Sequence, residues 1–255
     1  MRKHVKDEWV RAANERGYRS RAAWKLCQID DELKILNRSA RTVLDLGAAP
    51  GSWTQVLVER LSSPRFIVTV DLDEMVPLPA PMLRSQQQRG GSNADAIAYV
   101  QGDMNAAATR RRIGDALRDW RNGDAKGFDV VVSDMVPPIS GDHTADHARS
   151  VSLCRAIVDF LQLEHRRGQD GGGGGRSPSL TEDEKEEEEE KEGNRTLRTP
   201  MLTKGGSLTM KVLQGGELAA LVDDVRDQFG EVKLFKPKAS RPASREIYLV
   251  AKKAR

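Results

Sequence analysis

The stretch Thr42-Val43-Leu44-Asp45-Leu46-Gly47-Ala48-Ala49-Pro50-Gly51-Ser52-Trp53 decides how the rest of the chain is read. Val43, Leu44 and Leu46 are the apolar run of a buried parallel strand, which needs hydrophobic residues on both faces. Gly47, Ala48, Ala49, Pro50 and Gly51 follow at once. A turn this rich in small residues lets backbone approach a bound ligand closely, and Pro50 fixes one φ angle. Trp53, Val56, Leu57 and Leu61 then recur at helical spacing. The helix they imply points its positive N-terminal end over the turn. In an open α/β sheet, small ligands bind at such a place.

A tight strand-to-helix turn with no ligand would use the same small residues, so the turn needs company. Acidic residues at the next strand ends provide it. Phe66–Val70 ends in Asp71, Ala98–Gly102 ends in Asp103, and Phe128–Ser133 ends in Asp134. Together with Asp45 they mark one rim of the sheet as a site. An acid after the second strand can accept both hydroxyls of a ribose, and one after the third can meet an adenine amino group. There is no G-x-G-x-x-G and no Walker lysine, which disfavours dinucleotides and nucleoside triphosphates. An adenosine ligand without a pyrophosphate fits best, namely S-adenosylmethionine.

Outward from that centre, residues 42–135 give four strand–helix alternations, the pattern of a doubly wound parallel sheet. Residues 77–93 read as a long loop, and 145–166 as a helix carrying Val151, Cys154, Ile157, Val158 and Leu161. Residues 206–212, 231–235 and 246–251 read as strands, the last two as an antiparallel closing pair, and 217–229 as a helix. The expected fold is α/β and Rossmann-like: a mostly parallel sheet, helices on both faces and an antiparallel closing strand. Residues 40–255 make up this domain, and residues 1–39 form a basic helical segment before it. In that segment Gly17–Ser20 is a break, Ser20 is the expected N-cap of a second helix, and Lys25 stands in an apolar stretch where it either snorkels or faces a site.

The chain of 255 residues carries a formal charge of +3, but the charge is unevenly placed. Nine acidic residues and two lysines between Glu182 and Glu192 leave +10 on the remainder, which suits a polyanionic partner. The glycine and acidic tracts within 167–200 cannot build a core and read as a disordered insert. Cys27 and Cys154 are two free thiols, and no apolar run reaches membrane-spanning length. His143 and His147 are spaced i, i+4 without matching Cys or Glu ligands, so no metal site is expected. The loop Lys236–Arg245, basic and restricted by Pro237 and Pro242, suits phosphate contacts.

Several pieces in this order resemble the FtsJ (RrmJ-like) RNA 2′-O-ribose methyltransferases. They are Ser20-Arg21-Ala22 with Trp24-Lys25-Leu26, Asp45 through Gly51, Ser133-Asp134-Met135, Met210-Lys211-Val212, and Lys236-Pro237 through Ser244-Arg245-Glu246. The resemblance implies a catalytic tetrad of Lys25, Asp134, Lys211 and Glu246. It makes Lys211 the proton acceptor, with Lys25 lowering its pKa by like-charge repulsion and the two carboxylates orienting. It also implies a cofactor set of Asp45, Gly47, Ala49, Pro50, Gly51, Ser52, Trp53, Asp71, Leu72, Asp103, Met104 and Asp134. Arg19, Arg21, Lys236, Lys238, Arg241 and Arg245 are the expected RNA contacts. Ser52 departs from the glycine common in the family, which should narrow the turn slightly, and Pro138 departs from an asparagine. The implied substrate is a uridine ribose of large-subunit ribosomal RNA within a precursor particle, methylated by a monomeric enzyme that needs no membrane. Transfer RNA as substrate, or a ribosome-assembly role by binding, are the alternatives. A mitochondrial location is expected, with cytoplasm or nucleolus as alternatives.

Overall fold

The computed structural model describes residues 7–37, 39–62, 65–79, 96–124, 126–161 and 200–255. Arg2, Lys3 and Lys6, most of the 77–93 loop and the 167–199 part of the insert lie outside the described residues. Two helices precede the sheet, α1 (Glu8–Arg16) and α2 (Ala22–Leu33). The Asp7 carboxylate accepts the Trp9 N–H at 3.2 Å and starts α1, and Gly17 at φ 80° ends it. Ser20 stands one residue outside the start of α2, which opens at Arg21 without a side-chain cap. Its hydroxyl still accepts the Ala22 N–H at 3.2 Å and meets the Ser52 hydroxyl at 2.7 Å. Helical structure stops at Leu33, where Lys34 takes a left-handed φ of 51°, so the expected helical run to residue 39 is shorter.

Seven strands form one sheet: β1 (Thr42–Leu46), β2 (Phe66–Asp71), β3 (Ala96–Gln101), β4 (Phe128–Ser133), β5 (Leu202–Leu213), β6 (Phe229–Phe235) and β7 (Glu246–Ala254). Their order is β3-β2-β1-β4-β5-β7-β6. β1 through β5 run parallel, and β7 is antiparallel to both β5 and β6. The chain turns from one half of the sheet to the other between β1 and β4. The carboxyl ends of those two strands are therefore where a ligand crevice opens. β5 begins earlier than residue 206, because Leu202 pairs with Phe128 before an irregularity brings Ser207 opposite Val130.

The remaining helices are α3 (Ser52–Arg60), α4 (Ala107–Trp120), α5 (His143–Leu161) and α6 (Leu218–Arg226). The expected 145–166 helix begins two residues earlier, at His143, and its residues 162–166 lie outside the described residues. The expected 217–229 helix ends earlier, at Arg226, and Phe229 opens β6 instead. Two hydrophobic clusters show how the faces divide. Leu44, Leu46, Val131, Leu208, Met210 and Leu249 pack with residues of α4, α5 and α6. Val43, Val130, Val132, Tyr248 and Val250 pack with residues of α2 and α3. Because side chains alternate along a strand, this second face also receives Asp45, Asp134, Lys211 and Glu246. Strand parity and register put the chemistry under α2 and α3.

Candidate active site

The four expected catalytic residues come together as two ion pairs. Lys25 Nζ, delivered from α2, is 2.7 Å from Glu246 Oε1 at the start of β7. Lys211 Nζ, on β5, is 3.1 Å from Asp134 Oδ1 and also donates to the Asp134 backbone carbonyl. The side chains of Lys25, Lys211, Glu246 and Asp134 keep only 7, 9, 13 and 18% of their exposure, so Asp134 is the most open of the four. Two lysines this deep are tolerable only because each has a carboxylate. Burial alone pushes the Glu246 carboxyl up. The Lys25 ammonium, with Lys211 further off, outweighs burial and holds the carboxyl below its usual range.

A fifth residue, Tyr248, joins the pairs. It lies opposite Lys211 in the β5–β7 register, and its hydroxyl donates to Asp134 Oδ1 at 2.6 Å. Lys25 Nζ stands 5.9 Å from the centre of its ring, and the Trp53 indole packs against it at 5.7 Å. Burial, then the neighbouring Asp134 and Glu246 charges, push the Tyr248 phenol well above its ordinary pKa, so it remains a donor. Sequence reading passed over Tyr248. Strand alternation from Glu246 was the signal that could have found it.

The small-residue turn lies beside this centre. Gly47 has φ 72° and Gly51 φ 105°, a left-handed conformation that favours glycine. A Cβ on Gly47 would fall 2.3 Å from Met135 Cγ, so the turn is pressed against the segment leaving β4. Asp71 holds the turn from β2: its carboxylate accepts the Ala49 N–H at 2.9 Å and the Asp73 N–H at 3.0 Å. Asp45 is buried at the end of β1, where one oxygen accepts the Thr54 hydroxyl at 2.8 Å. Its other oxygen, Oδ1, is buried with no hydrogen-bond partner among the described residues. Burial, relieved in part by Thr54 and reinforced by the Asp134 and Asp71 charges, pushes the Asp45 carboxyl up to about 7.

The family model described as FtsJ-like methyltransferase matches residues 18–254. The chain belongs to this family. It is 33% identical over 247 residues to a ribosomal RNA large subunit methyltransferase E of Halorubrum lacusprofundi, covering 97% of this chain and 70% of that protein. It is 31% identical over 255 residues to a protein of the same name from Methylobacillus flagellatus, covering 100% of this chain and 94% of that one. A solved structure described as a ribosomal RNA methyltransferase of Plasmodium falciparum shares the fold, with a TM-score of 0.62 at 23% identity over 93% of this chain and 98% of that chain.

As an FtsJ-like methyltransferase the chain needs a place for a methyl donor, and the residues present fit one. The buried, unpartnered Asp45 Oδ1 and the left-handed glycines of the turn lie together at the carboxyl end of β1, where the β1–β4 switch occurs. Leu72 beyond β2 is 69% exposed and offers apolar surface beside it. Asp103 is exposed and Met104 buried just past β3, two strands out. Two members of the expected cofactor set point elsewhere. Ser52 is buried on Ser20, so its hydroxyl does not narrow the turn, and the Trp53 indole is core, donating to the Ala22 carbonyl at 2.9 Å.

The expected RNA contacts also divide. Lys238 and Arg241 are exposed, and their side chains have no partner among the described residues. Lys236 donates to the Ser244 carbonyl at 2.8 Å and Arg245 to the His143 carbonyl at 3.0 Å, which ties the basic loop down. Arg21 pairs with Asp7, and Arg19 donates three hydrogen bonds to backbone carbonyls. His147 is a buried core residue, with Nδ1 on the Leu213 carbonyl at 2.8 Å and Nε2 accepting the Glu217 N–H at 2.9 Å. No group of three or more potential metal ligands occurs among the described residues.

Proposed function

We propose that this chain methylates the 2′-hydroxyl of a uridine ribose in large-subunit ribosomal RNA, within a precursor particle, using S-adenosylmethionine. The observation that carries the reading is the convergence of Lys25, Glu246, Lys211 and Asp134 beside the Gly47–Gly51 turn. The name shared by the relatives supports the RNA class, and the exposed Lys238 and Arg241 supply charges for its phosphates. Asp45, the turn and Asp71 would hold the methyl donor, which when bound supplies an activated methyl group on a good leaving group.

The chain's own task is alignment and removal of one proton. Lys211 takes the proton of the attacking 2′-hydroxyl. Asp134 fixes the position of Lys211 Nζ through two acceptors, and Tyr248 fixes Asp134. Lys25, held by Glu246, adds a second lysine to the same centre, where it would favour negative charge developing on the attacking oxygen. The compact core joined to acidic and glycine tracts favours mitochondria as the compartment, which imaging of the tagged full-length protein checks.

The test is transfer of labelled methyl to ribosomal precursor RNA, free and assembled, with sites mapped by resistance of the modified ribose to alkaline cleavage. A large-subunit uridine labelled by the wild type and not by Lys211→Ala is the expected result. Labelling of transfer RNA alone would overturn the substrate. Tight binding of precursor particles without any transfer would replace the enzyme reading by an assembly role.

A further inference from the structure

Arg19 was expected on the RNA face, yet its geometry gives it different work. Nη1 donates to the Pro50 carbonyl and to the Val76 carbonyl, both at 2.6 Å, and Nη2 donates to the Pro77 carbonyl at 2.8 Å. Pro50 belongs to the small-residue turn, and Val76 and Pro77 to the segment that follows β2. Among the described residues, no backbone–backbone hydrogen bond holds Leu72–Pro79. Side chains hold it instead: Asp71 at the Asp73 N–H, Gln101 at the Leu72 carbonyl, Tyr99 at the Leu78 N–H, and Arg19. Met75 from the same segment reaches so close over the turn that a Cβ on Gly51 would fall 2.9 Å from its Cε and 2.7 Å from Arg19 Nη1.

The linker that carries Arg19 is itself fastened to α3. The Arg19 N–H donates to Gln55 Oε1 at 2.8 Å, and Gln55 Nε2 donates to the Gly17 carbonyl at 2.9 Å. Three carbonyl oxygens from two chain segments would repel one another if brought together bare. A planar guanidinium gathers them, because its fork of fixed donors reaches several acceptors and its charge is permanent.

We propose that Arg19 is a positioning residue for the methyl donor: it clamps the Gly47–Gly51 turn to the Leu72–Pro79 segment, setting the spacing of the two backbone walls that receive the adenosyl group. The inference rests on the S-adenosylmethionine reading above. It implies that the linker between α1 and α2 shapes the cofactor site, although it belongs to the basic N-terminal segment.

The experiment measures S-adenosylhomocysteine affinity by calorimetry, the KM for S-adenosylmethionine, kcat and RNA affinity, for wild type, Arg19→Ala and Arg19→Lys. Arg19→Ala is expected to weaken S-adenosylhomocysteine binding about tenfold or more, as loss of charged hydrogen bonds implies. KM should rise in step while kcat and RNA affinity stay close to wild type. Arg19→Lys should recover only part, because one ammonium cannot span three carbonyls, and it carries the test alone if Arg19→Ala does not fold. Unchanged S-adenosylhomocysteine affinity in a folded variant overturns the proposal, and a fall in RNA affinity beside it would return Arg19 to the RNA face. Failure of the wild type itself to bind would instead remove the cofactor reading, and this inference with it.

Discussion

Asp45 in β1 and Asp134 just past the end of the neighbouring β4 live in opposite circumstances. Asp134 is flanked by Lys211 and Tyr248, so both the charge and the geometry of its carboxylate are satisfied within the chain. Asp45 is deeper, has one hydroxyl partner and leaves Oδ1 without any among the described residues. The catalytic half of the site is thus complete in its own side chains. The half proposed to hold the methyl donor is a turn of backbone beside one buried acid. A buried polar group left unpaired costs the fold, so Asp45 is retained at the expense of stability.

Four measurements test this contrast between the two carboxylates and their surroundings. The largest effect belongs to Lys211→Ala, which should lower single-turnover methyl transfer about 10²–10⁴-fold, the usual contribution of a positioned base. S-adenosylhomocysteine affinity should be unchanged, and transfer within a few fold of wild type would remove Lys211 from the base role.

Next comes Asp45→Asn, read on the unliganded protein by thermal unfolding across pH. The folded pKa of about 7 lies above the ordinary value of 3.8. The carboxyl therefore contributes full stability below 3.8, and that contribution is lost as pH rises through about 7. The rise from 3.8 to about 7 corresponds to at most ~4 kcal/mol. The variant lacks this loss, so its advantage over wild type should grow from pH 5 to pH 8. A difference that is flat with pH would mean that Asp45 is ionised throughout.

Tyr248→Phe keeps the ring against Trp53 and removes only the hydrogen bond to Asp134. It should cost kcat about tenfold, near 1.4 kcal/mol, with little change in KM. A loss as large as that of Lys211→Ala would make the phenol a direct participant. The smallest effect is expected from the double variant Lys238→Ala with Arg241→Ala. RNA affinity should fall modestly, and the salt dependence should become shallower by about two phosphate contacts. A change in kcat at saturating RNA would show that these residues do more than hold phosphates.

What could be read in advance follows a physical division. The run Val43–Leu46 and the small residues after it carry their structure locally, through hydrophobicity and backbone freedom, so strand, turn and helix were visible in the letters alone. Lys25, Asp134, Lys211 and Glu246 were picked out by the family resemblance of the motifs that carry them, not by their burial, which the sequence does not show. The three carbonyl partners of Arg19 were invisible in advance, since an arginine in a basic segment looks the same whether it meets phosphate or carbonyls. Ser52 misled similarly, because its hydroxyl found Ser20 in another element.

The sequence by itself determined the strands, the turn, the helices that follow it and the residue types available for proton transfer. These depend on interactions within a few residues of chain. That Lys25 pairs with Glu246, that Tyr248 donates to Asp134 and that Arg19 reaches the Pro50 carbonyl came from the folded chain alone. Each of those contacts joins residues at least 31 positions apart, as Arg19 and Pro50 are. Such partners are chosen by strand register and helix packing, which no local pattern specifies.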